Sequence, residues 1–197
     1  MKKILLSLVV AGITMSTQAN VFQYAVTLDG PSESPVNASP GTGSATVGYD
    51  DSLHTLTLSL TFSGLTGTTT ASHIHAATAV ALTGTAGVAT TTPTLAGFPL
   101  GVSSGTYNNV LDLTLASSYN PAYVTANGGT TASAEVALAS AMAAGKAYLN
   151  IHSTAFGGGE IRGFLTPVPE PSSLALLGLG GLALAGRAWS RRRRANK

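Results

Sequence analysis

The sequence predicts an all-β fold, an antiparallel two-sheet sandwich with one or two short helices. Three observations carry this expectation. The stretch between the two termini is rich in Thr, Ser, Gly, Ala and Val and poor in charge, which suits half-buried pleated surfaces and frequent turns. Its apolar residues alternate with polar ones in short runs, most clearly Leu56, Leu58, Leu60 and Phe62 against Thr55, Thr57, Ser59 and Thr61. Turn signals such as Asp29-Gly30-Pro31, Asp50-Asp51-Ser52 and Gly64-Leu65-Thr66-Gly67 separate the runs. The chain has 197 residues and no cysteine, enough for one domain held by core burial, without cross-links.

Taken in order, 21–28 forms a first strand, and the proline-bearing stretch 31–43 is a loop. Strands follow over 44–49 and 53–62, with His54 at the start of the second as a rim residue. Next comes a strand carrying Ser72-His73-Ile74-His75. The Thr, Ala and Gly of 76–105 carry little pattern beyond a short strand near 87–91. A strand over 106–115 places Leu111, Leu113 and Leu115 on one side. Asn120-Pro121 reads as a cap and first residue of a short helix that Asn127-Gly128-Gly129 stops. The alanine-rich 131–144 reads as a second helix, with Glu135 in its first turn and Gly145 as its C-cap. Seven or eight strands of this kind pack most economically as an immunoglobulin-like sandwich.

The chemistry-bearing residues concentrate in 147–164, AYLNIHSTAFGGGEIRGF. Strand alternation puts Tyr148, Asn150 and His152 on one face and Leu149 and Ile151 on the other. In the next strand Ile161, Gly163 and Leu165 share the core face, opposite Glu160, Arg162 and Phe164. His73 and His75 flank an inward Ile74 in the same manner. Two readings of this polar set stay open. His73, His75 and His152 are the best lead to a function, with Arg162, Asn150 and Glu160 around them, and a mononuclear copper or zinc site is what the remoter likeness given below implies for them. The same residues also suit a polar network that ties loops to a sheet face.

The termini indicate export. Met1-Lys2-Lys3, an apolar run to Ile13 and small residues before Ala19 predict a signal peptide over residues 1–19. At the other end, Pro169-Glu170-Pro171 precedes an uncharged run from Ser172 to Gly186, and Arg191, Arg192, Arg193 and Arg194 close the chain. Such a run predicts a transmembrane helix with its arginines on the cytoplasmic side. The formal net charge of +2 comes from these ends. Between Asn20 and Leu165 only Lys146 and Arg162 face seven acidic residues, which argues against a nucleic-acid partner. The expected organisation is a signal peptide (1–19), a sandwich domain (20–166) and a sorting tail (167–197).

Two segments carry resemblances. Pro-Glu-Pro, a helix and an arginine cluster in that order resemble a PEP-CTERM sorting signal. This implies a Gram-negative protein that sits in the inner membrane by its tail, is processed by an exosortase-type enzyme, and reaches the cell surface or extracellular matrix. Leu60-Thr61-Phe62-Ser63-Gly64-Leu65, His73-Ile74-His75, Gly145 through His152, and Gly158-Gly159-Glu160-Ile161-Arg162-Gly163 resemble a CHRD domain, although Ala76-Ala77 replace the Gly and Pro more usual after the histidine pair. The resemblance implies a secreted β-sandwich with no settled activity, so the leading expectation is a non-enzymatic domain that meets a polysaccharide or a surface protein. A remoter likeness is to the copper–zinc superoxide dismutase sandwich, which implies His73, His75 and His152 as copper ligands and Arg162 beside the open position. The chain departs from that family in having no histidine between His75 and His152 and no cysteine, so its second metal and its disulfide have no counterpart.

Overall fold

The computed structural model describes residues 20–169. It has eight strands: β1 (Val21–Asp29), β2 (Thr42–Asp50), β3 (Thr55–Ser63), β4 (Thr69–His75), β5 (Gly105–Asp112), β6 (Tyr148–Ser153), β7 (Ile161–Phe164) and β8 (Thr166–Pro167). All pairings are antiparallel, in the order β4-β6-β7-β1-β2-β3-β5, with β8 also on β1. The sheet curls at β1. Asp29 pairs with Arg162 of β7, while Tyr24 and Ala25 pair with β8. One layer is therefore β1-β2-β3-β5 and the other β4-β6-β7, the sandwich predicted from alternation.

Gly163 makes the junction possible. A Cβ there would lie 1.9 Å from the Thr27 carbonyl oxygen, so no other residue lets β7 approach β1 this closely. The layers enclose one core. Leu28, Leu56, Leu58, Leu60, Ile74, Leu149, Ile151 and Ile161 are each fully buried in it, at roughly 1.5–3 kcal/mol of transfer free energy apiece.

Helix α1 (Pro121–Ala126) starts where Asn120 accepts from the Ala122 amide, as its sequence predicts. Helix α2 (Thr131–Ala143) is begun by a Thr130–Ser133 capping box, which sets Glu135 one turn into the helix instead of in its first turn. From there the buried Glu135 carboxylate accepts from Tyr49 Oη at 2.8 Å and from His54 Nδ1 at 3.0 Å. His54 is thus the rim residue expected of it, with its pKa raised by that hydrogen bond and charge.

Two expectations fail locally. β5 ends at Asp112, and a 3₁₀ turn over Ala116–Ser118 carries Leu115 out to solvent. The stretch 87–91 makes isolated bridges, His75 with Val88 and Thr90 with Tyr119, and no strand. It belongs to a long loop, 76–104, that runs along the free edge of β4. Its amides bond Ile74 O, Ser72 O and Thr69 O from Ala89, Leu95 and Gly101, and Leu95 and Phe98 anchor it in the core. An edge that could template aggregation is thereby covered.

Candidate metal centre

The outer face of β4-β6-β7 is not a solvent face. His73, His75, Tyr148, Asn150 and Arg162 are all buried and His152 is half-buried, because loops 30–41, 76–104 and 154–160 fold over them. Cross-strand register sets the layout. His75 pairs with Tyr148 and Tyr148 with Phe164, while His73 pairs with Asn150 and Asn150 with Arg162. His152 follows two residues after Asn150 on the same face.

Each histidine gives one ring nitrogen to a loop carbonyl. His73 Nε2 donates to Pro93 O at 2.6 Å, His75 Nδ1 to Ala86 O at 2.9 Å and His152 Nδ1 to Gly157 O at 3.0 Å. A carbonyl only accepts, so these nitrogens carry the hydrogens and the opposite ones present lone pairs. Those opposite nitrogens, Nδ1 of His73 and Nε2 of His75 and His152, are buried and have no hydrogen-bond partner among the described residues. The three side chains offer ligand atoms all within 4.8 Å of one another. Metal–nitrogen bonds of about 2.0–2.1 Å correspond to nitrogen separations of roughly 3.3–3.5 Å in a tetrahedral site.

Electrostatics keep the rings ready to bind. Burial lowers the pKa of all three, and that of His75 to about 4, with the neighbouring histidines and Arg162 adding to the effect on His75. The imidazoles are therefore neutral at pH 7, the form that coordinates metals. Tyr148 fixes His75 further. The two rings stack at 4.7 Å and 6°, and Tyr148 Oη donates to the same Ala86 carbonyl at 3.2 Å.

The remaining predicted site residues divide. Asn150 lies among the histidines. Arg162 lies close by, but its donors go to the cover: Nε to Ser32 O and Nη1 to Gly84 O at 3.1 Å. Its guanidinium sits 4.8 Å over the Tyr148 ring and 3.8 Å from Glu33 Oε2. It clamps two loops with these donors. The Glu160 carboxylate turns away to Ser39 Oγ at 2.6 Å and to the amides of Thr66 and Gly67. Burial pushes its pKa up, but these donors and Ser153 outweigh that and hold it below the usual range. Glu160 therefore braces the β3–β4 turn. Sequence reasoning missed Glu33, whose Oε1 accepts from Asn150 Nδ2 at 3.0 Å. Its one available signal was a solitary acid in a proline-bearing loop.

A family model of the CHRD domain matches residues 24–165, nearly the whole of this sandwich. The chain belongs to the CHRD domain family. A model of the PEP-CTERM protein-sorting motif matches residues 167–194, directly after the CHRD domain. No curated protein and no solved structure matches the chain. The CHRD domain is thus secreted and sorted through the membrane by exosortase-type machinery. The signal peptide, Glu170, Pro171, the tail helix and Arg191–Arg194 lie outside the described residues. Among the described residues no helix is long and apolar enough to cross a membrane.

Proposed function

We propose that this exported CHRD domain binds one copper or zinc ion through His73, His75 and His152, and does so at the cell surface or in the extracellular matrix. The observation that carries the reading is the set of three buried, partnerless nitrogens, each aimed by a carbonyl on the far side of its ring. A buried lone pair without a donor costs free energy, and a metal ion satisfies all three at once. Residues 1–19 direct export, 20–166 form the binding domain, and 167–197 are the tail from which exosortase-type processing releases or retains it. Titration of the protein with Cu(II) and with Zn(II), followed by melting temperature, tests the binding. One equivalent raises the melt of the wild type by mass action and does nothing for His73→Gln, His75→Gln or His152→Gln. An unchanged wild-type melt with either metal overturns the reading.

A polysaccharide partner is favoured by a separate surface. On the outer face of β1-β2-β3-β5, cross-strand register aligns Thr27, Ser44, Thr61 and Thr106 in one exposed row, and Ala25, Thr46, Ser59 and Asn108 in the next. Neither row carries a charge. The array offers hydroxyls at strand spacing to a neutral glycan chain. Co-sedimentation with the polysaccharide of the producing cells, abolished by Thr61→Lys, supports this partner; recovery of the wild type wholly in the supernatant refutes it.

A further inference from the structure

The structure assigns a role to Asn150 that rests on the metal reading above. We propose that an ion held by the three histidines carries a fourth, exchangeable ligand, and that Asn150 selects a small hydrogen-bond donor for that place, water in the simplest case, over a proton-free anion.

Three protein ligands leave a tetrahedral ion one open position. Register places Asn150 beside two of the three ligand histidines. It pairs across the strands with His73, and it shares a face with His152 two residues on. Asn150 is 2% exposed, and its Oδ1 is buried with no partner among the described residues. This is a fourth partnerless atom on the same covered face as the three ring nitrogens.

The orientation of the amide is fixed from behind. Asn150 Nδ2 donates to Glu33 Oε1 at 3.0 Å, so the oxygen is the end left for the site. Glu33 is itself 5% exposed and lies 3.8 Å from Arg162. Gly159 leaves room for the contact: a Cβ there would fall 2.5 Å from Asn150 Nδ2 and 2.6 Å from Glu33 Oε1. Glu33 is therefore a positioning residue, acting through Asn150.

An inward acceptor discriminates by chemistry. A bound water donates to Oδ1 and keeps its lone pair on the metal, whereas a proton-free anion sets negative charge against a carbonyl dipole. Two of the Arg162 donors are held by the Ser32 and Gly84 carbonyls and so do not turn to such an anion. The same geometry admits other neutral donors of similar size, such as hydrogen peroxide or an alcohol.

The test uses the full chain loaded with one equivalent of Cu(II). Pulsed electron resonance in H₂O and D₂O reads exchangeable protons on the ion, and azide titration of the charge-transfer absorption reads anion affinity. The wild type shows exchangeable water protons and weak azide binding. Asn150→Leu binds azide about tenfold more tightly, the equivalent of one hydrogen bond. Asn150→Asp keeps an acceptor and stays as resistant to azide as the wild type. Glu33→Gln, which lets the amide rotate, raises azide affinity while leaving copper stoichiometry at one. Equal azide affinity in all four copper-loaded proteins overturns the role of Asn150, and a wild-type ion with no exchangeable protons overturns the fourth ligand. If no copper binds at all, the metal reading itself fails and this one with it.

Discussion

Replacing His75 by Phe separates a metal centre from a structural polar network. The network reading makes His75 a stabilising contact, so its removal weakens the fold. The metal reading makes Nε2 of His75 an unsatisfied buried atom in the metal-free protein, so its removal relieves a cost. Phe preserves the stack on Tyr148, which lies at 4.7 Å and 6°. Deleting the partnerless Nε2 recovers about 1–3 kcal/mol. Losing the Nδ1 hydrogen bond to Ala86 O forfeits about 0.5–1.5 kcal/mol, and that carbonyl keeps the Tyr148 hydroxyl as a donor. The balance is a metal-free variant more stable than wild type by about 1 kcal/mol, or roughly 3 °C in melting temperature for a domain of this size. Urea and thermal melts in chelator, repeated with Zn(II), give both numbers. The wild type gains on adding zinc and the variant does not, so their order of stability reverses. A His75→Phe protein that is 2 kcal/mol or more less stable than wild type in chelator refutes the reasoning, which rests on the cost of an unmet buried acceptor.

Other consequences follow from single contacts. Gly163→Ala sets a methyl 1.9 Å from Thr27 O at the junction of the two layers; a loss of about 3 kcal/mol or more in urea melts is expected, and a near-neutral change contradicts the junction. Glu160→Gln exchanges an acceptor of charge-assisted bonds from Ser39, Thr66 and Gly67 for an amide that meets those donors with its own NH₂; about 2–3 kcal/mol is lost at pH 7, and a variant within 0.5 kcal/mol of wild type, about the noise of surface substitutions, shows that the brace is unimportant. In the metal-free protein, two groups pull stability in opposite directions with pH. Burial lowers the His75 pKa from 6.5 to about 4, so the unfolded chain takes up a proton that the folded one refuses, and stability falls by about 3 kcal/mol as pH drops through that window. Burial raises Glu33 from 4.5 to about 7, against the lowering effect of Arg162, so its contribution is present at low pH and is lost as pH rises to 7. Glu33→Gln removes the opposing contribution, so its stability falls more steeply than that of wild type as the solution is acidified from neutral pH, and parallel wild-type and variant pH profiles contradict the Glu33 assignment.

Much of the frame was legible because strand periodicity writes itself into residue type. The alternation at 55–62 gives β3 and its buried face, and Asn120-Pro121 gives the start of α1, since both depend on neighbours along the chain. The pairing of His73 and His75 opposite Ile74 was legible for the same reason. Their burial was not. It comes from loop 76–104, where carbonyls of Ala86 and Pro93 aim two of the rings, and a backbone carbonyl leaves no mark in the sequence. Glu160 shows the limit of parity. Counted along β7 it belongs with Arg162, but Gly159 before it adopts φ +135°, and its carboxylate reaches the β3–β4 turn instead. Glu33 could not be placed because its partner Asn150 lies 117 positions away, beyond any local pattern. Leu115 followed the period of β5 past its actual end, where the 3₁₀ turn at Ala116 redirects the chain.

X-ray absorption at the zinc edge of the fully loaded protein reports the ligand shell itself. Three imidazole nitrogens and one oxygen at about 2.0–2.1 Å are expected, with the imidazole scattering gone when His73, His75 and His152 are replaced together. A shell of oxygens alone, or imidazole scattering that persists in the triple variant, contradicts the convergence of these three side chains on one ion.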